Sequence, residues 1–320
     1  MKLQIVQIRL EADQIISLTV RDPAGARLPE WSPGAHLALT LPSGLVRQYS
    51  LCGALDDLYT YSVAVLKVRD GRGGSMEVHE RLRVGDEIEV AGPRNNFVLE
   101  PAPHYLFLAG GIGITPIVAM MEAVSGRTSC TYRLLYGARS RAALAFGDRL
   151  VPTAAGAVEL VAHDEAGLLD ITEAMAGSPV GTHVYCCGPP AMLAAVQQIS
   201  AGFPELVVHF ERFTAESSPE AQDGAPTAGD ESAFLVELAR TGVTVEVAQG
   251  QTALEAILVA APGTPYSCES GFCGTCETKV LAGEVDHRDS LLTDVEQAAN
   301  GTMMICVSRS KDGTKLTLDL

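Results

Sequence analysis

A chain of 320 residues exceeds what one hydrophobic core usually organises, and two or three domains are expected. The formal charge of -16 argues against nucleic-acid partners, which need Lys and Arg to displace phosphate counterions, and no run approaches the roughly 18 consecutive apolar residues of a membrane span. Acidity concentrates toward the C-terminus, with 5 acidic and no basic side chains over residues 214–231 and 12 acidic and 6 basic over 232–320, a surface suited to solubility or to docking on a basic partner.

The N-terminal MKLQIVQIRLEAD alternates like a strand and lacks the apolar block of a secretory signal, so a cytoplasmic location is expected. Short alternating or apolar runs follow, HLALTL, TYSVAVLKV and DEIEVAG, separated by Pro and Gly turns. Over residues 1–100 that pattern predicts an antiparallel β-barrel or sandwich. Trp31 in WSPGAHL is read as a core residue before a turn.

Over 101–213 the rhythm changes to strands followed by helices: YLFLA then PIVAMMEAV, YRLLYGA then a helix near Ala142 to Leu150, THVYCCG then PAMLAAVQQI. Such alternation predicts a doubly wound parallel α/β sheet. Gly110, Gly111 and Gly113 stand between the first strand and a helix predicted to begin near Pro116, where backbone N–H groups attract phosphate. A third fingerprint glycine is absent, so a tight structural turn competes with a dinucleotide site. After the second strand come Arg139 and Arg141, where an acidic residue would favour NAD and an arginine could accept a 2′-phosphate. Cys187 or Gly188, ending the third strand, could touch the nicotinamide, whereas Cys186, Cys52 and Cys130 read as small core residues.

Thr214 to Ser232 carries Pro, Gly, Ala and acidic residues in place of large apolar ones and reads as a linker. Over 233–320 the sequence predicts a hairpin, a short helix, a Cys-rich loop and a last KLTLDL strand, an α+β unit. Cys268, Cys273 and Cys276 stand at C-x4-C-x2-C, with Cys306 after 29 intervening residues, the spacing of plant-type two-iron, two-sulfur (2Fe-2S) ferredoxins. Structural zinc would want a second close pair, which Cys306 lacks, and a Rieske centre would want two His where His287 stands alone. Gly271 and Gly274 let the loop turn tightly around a cluster.

Taken together, RQYSL, GRGGS, GGIGITP, CGPPAM, HFERF and the Cys loop resemble the phthalate dioxygenase reductase family over nearly the whole chain. The resemblance implies an FMN domain, an NAD domain and a β-grasp-like ferredoxin domain. FMN is implied rather than FAD, and NADH rather than NADPH, which stays open. Arg47 would bind the flavin phosphate, Tyr49 would pack on the ring and Ser50 would meet its polar edge. Gly73, Gly74 and Ser75 would contact the same phosphate. Gly111, Thr115 and Pro116 would face the NAD, and Phe213 would lie near the flavin. Without the family pattern, Arg47 reads as an exposed strand residue and GRGGS as a hairpin turn.

Nicotinamide gives two electrons together and a 2Fe-2S cluster accepts one, so a flavin must stand between them. The resemblance further implies a separate terminal oxygenase as acceptor, of Rieske type, acting on an aromatic ring or an O-methyl group. Two other readings stay open: a flavin reductase acting on ferric iron or a quinone, and a non-enzymatic redox sensor. Oligomeric state is not legible.

Overall fold

The computed structural model describes residues 1–69, 71, 73–213, 232–266, 271, 274–289, 291–292 and 294–320. They fall into two compact units, Met1–Phe213 and Thr214–Leu320. The predicted linker lies outside the described residues except for Ser232. No helix among them is long and apolar enough to cross a membrane.

In the first unit, strands β1 (Lys2–Ala12), β2 (Ile15–Arg21), β3 (Ala35–Thr40), β4 (Val46–Ser50), β5 (Thr60–Leu66) and β6 (Glu87–Asn95) form an antiparallel sheet in the order β4-β3-β6-β1-β2-β5. A bridge between Leu51 and Val63 ties one edge to the other and closes a barrel. Alternation fills its inside with Leu3, Ile5, Leu18, Val20, Leu37, Leu39, Val63 and Val90. Trp31 packs against this core, as expected. Helix α1 (Gly74–Arg81) adds buried Val78 to it and holds the β3–β4 turn through the Glu77 carboxylate, which accepts from Ser43 N at 2.8 Å.

The second layer is a wholly parallel sheet of β7 (His104–Gly110), β8 (Thr131–Ala138), β9 (Gly156–Ala162), β10 (His183–Cys187) and β11 (Val207–Glu211), in the order β11-β10-β7-β8-β9. Helices α2 (Ile114–Ser125), α3 (His163–Ala166), α4 (Ile171–Ala176) and α5 (Pro190–Ser200) connect the strands. The doubly wound expectation is met, with the order reversing between β7 and β10. Barrel and sheet share polar and aromatic contacts: Arg149 donates to Cys52 O at 2.6 Å while pairing with Glu122 at 2.8 Å, and the Phe97 and Tyr185 rings meet edge to face at 5.4 Å.

The helix expected over Ala142 to Leu150 does not form; only a 3-10 turn, Arg141–Ala143, precedes irregular chain. Tertiary contacts override its helical composition. Tyr136 OH accepts from Ala145 N at 3.1 Å, Phe146 adopts φ 60, and Ala145, Phe146 and Leu150 are drawn into the core.

The second unit contains β12 (Phe234–Leu238), β13 (Val243–Val247), α6 (Ala253–Ala260), β14 (Glu277–Ala282), β15 (Val285–Asp286), α7 (Asp294–Ala299), β16 (Thr302–Met304), β17 (Arg309–Ser310) and β18 (Leu316–Leu318). A five-stranded mixed sheet, β13-β12-β18-β14-β16, packs Val236, Leu316 and Leu318 against Leu254 and Ile257 of α6. The hairpin, helix and last strand stand where the sequence placed them. Thr252 and Glu255 start α6 with a reciprocal capping box.

Candidate functional site

On β4, Arg47 and Tyr49 stand opposite Leu39 and Leu37 of β3. The Arg47 stem lies against Gly74: a Cβ there would come within 2.6 Å of Arg47 Nε and 2.7 Å of its Cγ. Gly73, the residue before α1, has φ 78 and provides no side-chain cap, and the helix starts beside the Arg47 side chain. That is the geometry of an anion site, and it suits a phosphate dianion. GRGGS therefore leads into a helix rather than turning a hairpin. Ser75 Oγ is engaged with Val68, 3.1 Å from its N and 3.3 Å from its O, where it pins the approach to α1. Burial pushes the Tyr49 phenol up to about 12, Arg47 working against it and Glu77 with it, so the ring stays neutral.

Ser50 is 3% exposed, and among the described residues its Oγ makes no hydrogen bond of good geometry, the Glu211 carboxyl standing near it. An orphaned buried hydroxyl at a strand end suits the polar edge of a flat ring. Across the layer boundary it faces Glu211, the last residue of β11. Burial pushes that carboxyl up to about 8, with Ser50 partly offsetting the rise. Glu211 was not singled out in the sequence, although it stood in the quoted HFERF. The available signal was a lone acid ending the apolar run VVHFE. Phe213, two residues on, is 37% exposed.

The glycine loop and CGPPAM meet at the switch point of the sheet. A Cβ on Gly113 would lie 2.2 Å from Cys187 O, and one on Gly110 would lie 2.6 Å from Pro189 Cδ and 3.3 Å from Gly188 Cα. Only glycine permits this approach of β7 to β10. Gly111–Gly113 form a 3-10 turn running into α2, which starts at Ile114, two residues before the predicted point. Pro116 fits inside the first turn because its N–H would have no partner there. Thr115 is buried and donates Oγ1 to Ile112 O at 3.0 Å, beneath the loop. Cys187 and Cys186 are fully buried, as are Cys52 and Cys130 nearly so. Burial raises the Cys187 thiol well above its ordinary value, Glu211 and Cys186 adding to the effect, so it is no thiolate nucleophile.

Beside this junction lies a cavity of about 650 Å³. Gly110 and Gly111 line it at the end of β7, Gly137 to Arg139 at the end of β8, and Pro189 and Met192 near α5. It opens at the carboxyl ends of parallel strands, where such sheets bind nucleotides.

Of the four predicted cluster ligands, Cys268 and Cys273 lie outside the described residues. Cys276 and Cys306 are 3% and 2% exposed. Antiparallel β14 and β16 pair Glu277 with Met304, so Cys276, one residue before β14, and Cys306, two after β16, end at the same side of the sheet. Gly271 and Gly274 take left-handed φ of 72, which glycine adopts without strain, while residues 267–270, 272 and 273 of the expected tight loop lie outside the described residues. Two buried thiols at one sheet edge fit a soft iron centre. His287 lies inside, its side chain 7% exposed and Nδ1 3.6 Å from Asp289.

Comparison with known proteins matches residues 107–198 to the oxidoreductase NAD-binding domain and residues 236–311 to the 2Fe-2S iron-sulfur cluster binding domain. The chain is 42% identical to phenoxybenzoate dioxygenase subunit beta of Ectopseudomonas oleovorans, covering 99% of this chain and 97% of that protein. The solved structure of phthalate dioxygenase reductase, described as modular for electron transfer from pyridine nucleotides to [2Fe-2S], matches with TM-score 0.71 and 35% identity over 100% of this chain and 98% of that one. An intact type IV self-sufficient cytochrome P450 monooxygenase matches with TM-score 0.84 and 41% identity, over 100% of this chain, which spans 41% of that one. With a nucleotide-binding sheet and a cluster-binding unit on one polypeptide, the molecule is an oxidoreductase. Full-length likeness at these identities makes the chain a member of the phthalate dioxygenase reductase family.

Proposed function

We propose that this chain is the reductase of a two-component oxygenase system, taking electrons from NADH and delivering them to a separate oxygenase. The observation that carries the reading is the meeting of Gly110–Gly113 with Cys187–Gly188 beside the cavity, with Glu211 Oε2 4.0 Å from Cys187 Sγ on the next strand. Residues 1–100 serve as the flavin domain, 101–213 as the nucleotide domain, 214–232 as linker and 233–320 as ferredoxin. Bound FMN supplies the conversion between two-electron and one-electron transfer, and a 2Fe-2S cluster the outlet for single electrons.

Arg47 and the helix start from Gly73 to Ser75 would hold the flavin phosphate, Tyr49 would lie along the ring and Ser50 would meet its polar edge. Phe213 would cover the ring until the nicotinamide enters. Gly111, with Thr115 and Pro116 shaping the turn under it, would receive the dinucleotide, and Cys187 and Gly188 would border the nicotinamide. Glu211, held neutral by burial, can keep a proton at its carboxyl next to Ser50. Cys268, Cys273, Cys276 and Cys306 would hold the cluster. A cytoplasmic location, where NADH is available, belongs to the same reading.

A Rieske-type oxygenase acting on an aromatic ring is the acceptor we favour, in line with the name of the phenoxybenzoate dioxygenase relative. The match to a self-sufficient P450 chain supports a second acceptor, a haem monooxygenase. The test is NADH-driven reduction of each purified acceptor by the anaerobically prepared protein, after iron, sulfide and flavin have been assayed. Protein without iron, sulfide or flavin, or with no reduction of either acceptor, overturns the proposal.

A further inference from the structure

In doubly wound nucleotide sites an acidic side chain after the second strand grips the adenosine ribose hydroxyls and repels a 2′-phosphate. Here β8 ends in Ala138, and the next residue, Arg139, lines the cavity. The two arginines of ARSR differ. Arg141 is committed to Glu165, its Nε 2.8 Å from both carboxylate oxygens, and does not line the cavity. Arg139 has no ion pair among the described residues; only its backbone O is engaged, by Asp164 N at 3.2 Å. The other long basic side chains on the wall are Lys67, which pairs with Glu80 at 3.0 Å, and Arg69, which follows β5 of the barrel, so Arg139 is the arginine that belongs to the end of β8.

An imidazole stands next to Arg139 on the same wall. A Cβ on Gly137 would lie 2.6 Å from His163 Nε2, so the imidazole lies directly over the end of β8. The acid on the lining is Asp13, which reaches Gln14 Nε2 at 3.5 Å and whose N donates to Ala142 O at 2.7 Å. It comes from the barrel side and stands beside the turn after Arg139 rather than at the strand end.

We propose that Arg139 is a receptor for the 2′-phosphate of NADPH, so that this reductase accepts NADPH as well as NADH, with Arg139 setting the ratio between them. This rests on the cavity being the nucleotide site of the proposed function. A guanidinium meets a phosphate dianion through paired N–H groups, and each charged hydrogen bond of that kind is worth about a tenfold to hundredfold in affinity.

The test uses the full-length protein with its cofactors. Titration calorimetry measures 2′,5′-ADP against 5′-AMP, and kcat/KM is measured for NADPH and NADH with ferricyanide as acceptor. The wild type is expected to bind 2′,5′-ADP more tightly than 5′-AMP. Arg139→Ala should weaken 2′,5′-ADP by about 10- to 100-fold and lower kcat/KM for NADPH by a larger factor than that for NADH, and Arg139→Lys should fall between. Equal binding of the two ligands by the wild type, or a ratio moved by Asp13→Ala and not by Arg139→Ala, overturns the assignment while NADH turnover leaves the broader function standing. Failure of both ligands to bind overturns the nucleotide site and the assignment with it.

Discussion

Cys187 and Glu211 are direct partners across the parallel pair β10 and β11, and Glu211 Oε2 stands 4.0 Å from Cys187 Sγ. Both groups are held neutral by burial, the carboxyl titrating at about 8. A raised carboxyl means the folded protein binds that proton more tightly than the unfolded chain. The stabilisation is complete below the unfolded value near 4.3 and is lost as pH climbs to about 8. Glu211→Gln should therefore match the parent at pH 4 to 5 and exceed it at pH 9, by roughly 1–3 kcal/mol once solvent screening is allowed for. Urea denaturation at both pH values, with and without flavin, measures this. A variant advantage that is the same at both would mean that Glu211 ionises freely in the fold.

Arg47 packed on Gly74 at an uncapped helix start predicts a specific loss. Arg47→Ala should weaken flavin binding by about 10- to 100-fold, with Arg47→Lys recovering part, because a point charge cannot reproduce the planar fork. Ser75→Ala should have a smaller effect, since its hydroxyl is occupied by Val68. Fluorescence of released flavin on dilution reports both, and a Ser75 effect larger than that of Arg47 would contradict the arrangement.

The contact of Gly113 with Cys187 O leaves no room for a methyl group. Gly113→Ala should cost roughly 1–3 kcal/mol of stability by overpacking, and should weaken dinucleotide binding as the loop lifts off β10. Gly126→Ala is the control, at a site where a Cβ meets nothing within 4 Å. Equal unfolding midpoints for the two variants would show that the strand ends tolerate separation.

These sites differ in how far the sequence exposed them. Local signals carried the barrel, the parallel sheet and the ferredoxin hairpin, because period and turn residues report nearest-neighbour geometry. Cysteine spacing carried the cluster for the same reason. Residues 142–150 read as helix, yet the Tyr136 hydroxyl and the pull of Phe146 into the core act over distances in space that no window of sequence contains. Helix α1 was hidden because GRGGS also suits a hairpin. Glu211 was overlooked because its meaning comes from Ser50, 161 positions earlier, and Arg139 could be separated from Arg141 only when Glu165 proved to be the partner of one.

The placement of Cys276 and Cys306 at one edge of the mixed sheet predicts a separation of two activities. If Cys276 and Cys306 are ligands as proposed, Cys276→Ser and Cys306→Ser each put a weakly basic hydroxyl in place of a soft thiolate, so iron content should fall sharply in both. Neither residue belongs to the unit Met1–Phe213, in which Arg47, Ser50, Glu211 and the cavity all lie. NADH-driven ferricyanide reduction by that unit should persist near the parent rate, whereas reduction of the oxygenase should drop by at least about a hundredfold, since the cluster is the proposed route of single electrons to that partner. Because a missing cluster can also loosen the C-terminal fold, circular dichroism and protease resistance of the Thr214–Leu320 unit should accompany the assays. Oxygenase reduction that continues in a folded variant shown to lack iron would place the exit for electrons at the flavin instead.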